Sequence, residues 1–181
     1  MGWRDRARLA SYQDALAYLE SNPESNPEAI LDVRRSDKVK YGVGINIEQA
    51  VTDDTAYFLR AMQADGHTET YAFTEADGSL GTGFTFKGTR WGRNADTMGA
   101  AYMRNTLSNE RRDYLEAGGI SFFIGDGALH YQPEQVLETY YSFGIHKMAF
   151  LTVDYQRIWN PAYNADRGPV DVGSFRLHTE F

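Results

Sequence analysis

Arg4, Arg6 and Arg8 occupy alternate positions of one short segment, and alternate residues of a strand share a face. Together they would form a positive ladder able to attract anions or to grip hydroxyl groups. Snorkelling toward water, or pairing with Glu48, is the simpler reading of the same three side chains. The alternation of later segments directs a further polar set to the same interior face: Asn46, Glu48, Arg60, Thr85, Lys87, Glu138, Tyr140, Thr152, Asp154, Gln156, Arg176, His178 and Glu180. Their chemistry is non-covalent. Opposite charges would pair across strands, and the remaining donors and acceptors would serve as generic polar lining.

Covalent chemistry finds no support in the spacing. His67, His130, His146 and His178 are scattered and show neither H-x-x-x-H nor H-E-x-x-H, so a zinc site is not expected. No G-x-S-x-G occurs, and the GVG at Gly42 lacks the third glycine of a dinucleotide loop. Carboxylates two residues apart are too common here to mark a glycosidase pair. The GDG around Asp126 and the NADRG loop around Asp166 offer oxygens for calcium, but neither supplies a full ligand set. The expectation is a protein that is not an enzyme and holds no cofactor or metal.

The elements that must position these residues read as strands. Trp3 to Leu9 alternates, and a helix from Tyr12 to Leu19 follows, opened by Ser11 with Asp14 three residues on, before SNPESNPE breaks it. Lys40 to Gln49 sets Tyr41, Val43, Ile45 and Ile47 against Gly42, Gly44, Asn46 and Glu48. Ala56 to Ala64, Ser79 to Arg90, Thr97 to Asn105, Val136 to Ile145 and Phe150 to Trp159 alternate in the same way, with a short helix at ERRDYLEA ended by Gly118 and Gly119. The last segment, VDVGSFRLHTEF, places Phe175, Leu177, Thr179 and Phe181 on one face and Ser174, Arg176, His178 and Glu180 on the other. About eight strands result, joined alternately by short turns (at Thr52, Asn94 and His146) and long segments (after Leu9, Asp65, Ser108 and Asn160). That rhythm predicts an all-β, antiparallel, up-and-down transmembrane β-barrel portion with short helices in its extracellular loops. Trp91, Tyr155, Trp159, Tyr163 and Phe181 fall near strand ends, where membrane-interface aromatics belong.

Composition sets the outer bounds. One domain over residues 1–181 fits the length, and 42% apolar residues suffice for a core. A net charge of -7 argues against nucleic acid, which needs a basic face. With no cysteine there is neither a disulfide framework nor a thiolate site. No apolar run approaches the length of a membrane-spanning helix, which leaves membrane strands untouched. MGWRDRARLA has no apolar h-region or cleavage site, so a membrane barrel would require a signal peptide further upstream.

The stretches GVGINIEQAV, RDYLEAGG with its following GDG, PEQVLETYYSF and NPAYNADRGPV carry a resemblance over nearly the whole chain. They resemble the carbohydrate-selective outer-membrane porin family (OprB-type). The resemblance implies the C-terminal half of a sixteen-stranded barrel in the bacterial outer membrane, through which saccharides diffuse passively. It also implies outer-membrane lipid and saccharides as partners, and a homotrimer for the full-length porin. In such a protein the polar list above would line the pore, with aromatic rings facing the C–H faces of a pyranose. Three alternatives stay open: a small closed eight-stranded barrel acting as an anchor or adhesin, a soluble lipocalin-like ligand-binding barrel, and, because a half-barrel leaves unpaired edges near Arg6 and Phe181, a curled open sheet. Periodicity alone does not say which face is inside.

Overall fold

Strict alternation over long segments gives a single meander. The structure, a computed structural model, describes residues 1–22, 29–70, 75–121, 124–125 and 127–180. The strands are β1 (Gly2–Arg8), β2 (Asp37–Thr52), β3 (Thr55–Ala64), β4 (Gly78–Lys87), β5 (Thr97–Thr106), β6 (Glu134–His146), β7 (Ala149–Trp159) and β8 (Val170–Thr179). They form one antiparallel sheet in which each strand pairs with its sequence neighbours, in the order β1 to β8. The short connections lie at one end of the sheet and the long ones at the other, as the sequence rhythm predicts.

The sheet is open. Its order ends at β1 on one side and β8 on the other, with no pairing between the two among the described residues. This corrects the transmembrane β-barrel expectation, and with it the closed eight-stranded anchor and the lipocalin-like barrel. Closure depends on the first and last strands meeting, and no local pattern encodes that contact. An open edge also bears on location. Unpaired N–H and C=O groups cost several kcal/mol each in hydrocarbon, so only helices and closed barrels span a bilayer. The expectations of a membrane-spanning porin, of outer-membrane localisation and of a lipid partner are therefore corrected too. No described helix is long and apolar enough to cross a membrane, a statement about helices only.

Among the described residues, three α-helices sit at the long-connection end: α1 (Tyr12–Ser21), α2 (Ala29–Asp32) and α3 (Asn109–Glu116). Ser11 Oγ accepts the Asp14 amide at 3.1 Å to start α1, and Ser108 Oγ accepts the Arg111 amide at 3.2 Å to start α3. The core lies here, off the sheet faces, where Ala10, Tyr12, Ala15, Ile30, Tyr114, Leu115, Leu129 and Tyr163 pack together. At its centre Arg111 is wholly buried, bonded to Glu75, Thr70 and Ser121.

The short-turn end is held by a smaller polar lock. Buried Asp96 accepts from Arg93, from Tyr141 Oη at 2.6 Å and from the Gly144 amide at 2.9 Å, and Trp91 donates to Tyr141 at 2.7 Å. The Arg93 hydrogen bond, with those from Tyr141 and Gly144, draws the Asp96 carboxyl down to about 2. A carboxyl held below its ordinary value near ~3.9 adds stability above that value and loses it as pH falls through about 2. Denaturant midpoints should therefore drop between roughly pH 4 and pH 2, and Asp96→Asn should flatten that limb. An unchanged acid limb in the variant would contradict this role.

Candidate functional site

Register decides which side chains meet. Glu48 faces Phe58, Phe58 faces Gly83, Gly83 faces Ala101, Ala101 faces Glu138 and Glu138 faces Gln156, so these six share one face of the sheet. The adjacent rows add Asn46 and Arg60 toward the long connections, and Thr85, Tyr140 and Asp154 toward the short turns. Lys87, Thr152, Arg176 and His178 fall on this face as well. The opposite face carries Tyr41, Val43, Ile45, Ile47, Leu59, Leu137, Val153, Phe175 and Leu177, several of them widely exposed.

The three arginines go elsewhere. Arg4 pairs with Tyr41, Arg6 with Val39 and Arg8 with Asp37, which puts the ladder on the apolar side. There Arg6 Nε meets Asp37 at 3.4 Å and Arg8 Nε donates to the Arg34 carbonyl at 2.8 Å. They do not pair with Glu48. Glu180 lies just beyond β8, where its carboxylate meets His178 at 3.2 Å. Among the aromatics, Trp91 is at the short-turn end on Tyr141, Tyr155 donates to Asp171 at 2.6 Å, and Trp159 lies under the Arg157 guanidinium. Tyr163 belongs to the buried core at 3% exposure, and Phe181 lies outside the described residues, as does Asp126.

A groove of about 490 Å³ opens on the polar face, lined by Glu48, Phe58, Arg60, Gly81, Glu138 and Tyr140. Glycines shape it. A Cβ on Gly83 would stand 2.6 Å from the Phe58 ring, and one on Gly99 would stand 2.5 Å from the Tyr140 ring. Both rings therefore lie against the sheet over a glycine. The Arg60 guanidinium sits 5.5 Å from the Phe58 centroid.

The groove's acids are coupled. Burial raises Glu138 above the usual carboxylate range, and the neighbouring Asp154 charge and hydrogen bond raise it further. Asp154 Oδ1 accepts from Gln156 at 3.3 Å and Ser174 at 3.4 Å, while its buried Oδ2 has no hydrogen-bond donor. Burial, then the Glu138 charge, also raises the Tyr140 hydroxyl, keeping it a neutral donor. The arrangement offers donors, acceptors and flat apolar rings side by side, with no nucleophile next to a base. Among the described residues no group of three or more His, Cys, Asp or Glu is placed to hold a metal ion. Asp166 instead meets His130 Nδ1 at 2.6 Å.

Phe58 and Trp3 were absent from the sequence-derived set. Phe58 shares the parity of Arg60 and faces a glycine, a signal that was present in the alternation. Trp3 shares a face with Lys40 and Gly42, which only the β1–β2 register reveals.

A family model described as carbohydrate-selective porin, OprB family, matches residues 1–181. Neither the curated proteins nor the solved structures returned a match.

Proposed function

The chain belongs to the OprB family of carbohydrate-selective porins, and on that premise we propose that the polar face of its open sheet binds saccharides without covalent chemistry. Membership of that family makes it a non-enzymatic protein. One observation carries the reading: two aromatic rings laid flat over glycines flank Arg60 and Glu138 in a single groove. A pyranose has apolar C–H faces and a rim of hydroxyls. Phe58 and Tyr140 suit the faces, and Arg60, Glu48, Glu138 and the Tyr140 hydroxyl suit the rim. The grip is weak by design, since exposed partners in water return only a fraction of each bond's intrinsic strength.

Calorimetric titration with maltotriose tests this, with the apolar face covered by a detergent that has no sugar headgroup. Tyr140→Ala should weaken binding roughly tenfold, about 1.4 kcal/mol, by removing one ring and one hydroxyl. Val43→Thr, on the opposite face, should leave the affinity unchanged. Equal affinities in all three proteins, or no saturable binding in the parent, would overturn the proposal.

A further inference from the structure

A second aromatic platform lies on the same polar face near the long-connection end. Trp3, Asp5, Lys40, Met62, Ala64 and Thr70 surround a cavity of about 320 Å³. The register puts Trp3 opposite Gly42 and Asp5 opposite Lys40 on β1 and β2, and Ala64 opposite Gly42 on β3. A Cβ on Gly42 would stand 2.6 Å from the Trp3 indole, so this ring, too, lies flat across a glycine. Its accessible area is 38%, substantial for an indole.

The polar groups around it divide into occupied and available. Lys40 is occupied: its Nζ donates to the Asp65 and Thr68 carbonyls, each at 2.6 Å, which fixes the cavity floor. Asp5 Oδ1 takes the Arg6 amide at 2.8 Å, while Oδ2 has no protein donor among the described residues. Thr70 is occupied as well: its Oγ1 accepts from Arg111 at 2.9 Å and its side chain hydrogen-bonds the Tyr12 hydroxyl. A carboxylate oxygen and one indole face thus border a space at the small end of the usual ligand-pocket range, roughly 300–1,000 Å³.

We infer that the Trp3–Asp5 cavity is a second saccharide subsite, in which the indole stacks on one pyranose unit and Asp5 accepts from its hydroxyls. The inference rests on the saccharide reading of the polar face. Gly42 and Asn46 are four residues apart on β2, about 13 Å at ~3.3 Å per residue. A single oligosaccharide therefore reaches from the indole to the Arg60 groove, and longer chains should bind more tightly than monosaccharides.

Trp3 itself supplies the readout. In a Trp91→Phe, Trp159→Phe background it is the remaining tryptophan, and its emission can be followed during titration with maltohexaose in a sugar-free detergent. The expected result is a saturable emission change with protection from acrylamide quenching, retained after Tyr140→Ala. Asp5→Asn should weaken that signal roughly tenfold or more. Gly42→Val should abolish it by pushing the indole off the sheet. Silent Trp3 emission alongside calorimetric binding would overturn the subsite and leave the groove proposal standing. Silence in both would overturn both. A response to added alkyl chains but not to sugar would mark an apolar site and overturn the subsite as well.

Discussion

Arg111→Met should lower the stability of the fold by about 3–5 kcal/mol. The guanidinium is fully buried between α3 and the segment leading into β4. It donates to Thr70 Oγ1, to the Glu75 carbonyl and carboxylate and to Ser121, and it stands 3.8 Å from Asp77 and 5.4 Å from the Tyr12 ring centroid. Burial pulls its pKa below the ordinary value, but an arginine so placed stays charged. Methionine fills much of the volume yet leaves the Glu75 and Asp77 carboxylates without their nearest cation. Burial already raises Asp77, and its Oδ1 accepts no hydrogen bond; Lys40 Nζ, at 4.0 Å, is the cation that would remain close to it. Adding Asp77→Asn to Arg111→Met should restore part of the loss by removing one stranded charge. Denaturant unfolding of the three proteins measures both effects. A loss under about 1 kcal/mol in the single variant would show that the cluster is solvated and carries little of the fold.

Gly83→Val should cost about 1–3 kcal/mol and weaken saccharide binding at the same time. Its Cβ would stand 2.5 Å from the Ala100 carbonyl oxygen, a backbone atom held by the β4–β5 ladder, and 2.6 Å from the Phe58 ring. One contact strains the sheet and the other lifts the ring from its seat. Gly81, two residues away on the same face, is the control, because its Cβ would meet only the Met103 methyl at 3.9 Å. Gly81→Ala should leave stability within about 0.5 kcal/mol of the parent. Thermal or denaturant unfolding with parallel sugar titration distinguishes them. Equal behaviour of the two variants would mean that Phe58 is not seated on Gly83.

Much of this sheet could be read from alternation, because a period of two marks strands and sorts residues into two sets. The set containing Asn46, Glu48, Arg60, Glu138 and Asp154 does share one face. The arginines of β1 show where that reasoning stops. A single strand's alternation defines two faces but not which neighbour each one joins, and a one-residue change of register exchanges them. Charge suggested that Arg4, Arg6 and Arg8 belonged with the polar set, whereas pairing with Tyr41, Val39 and Asp37 places them on the apolar one. Tyr163 looked like a strand-end aromatic; its φ of 64° and the loop around it turn it into the core. The two unpaired edges, near Arg6 and at the end of β8, were legible as one outcome for a half-barrel; that the sheet stays open rather than closing edge to edge was not, since whether β8 meets β1 depends on the whole sheet. The buried ionic cluster was hidden because Arg111, Asp77 and Lys40 are distant in sequence and individually unremarked.

Methyl NMR during a maltotriose titration tests saccharide binding on the polar face most directly, because methyl groups report one face at a time. Ala101, Met103 and Val136 line the groove, while Val43, Ile45 and Leu177 lie on the opposite face. Saturable shifts at the first three, with the second three unmoved, are expected. Shifts confined to Val43, Ile45 and Leu177, or no saturable shift anywhere, would contradict saccharide recognition by the polar face.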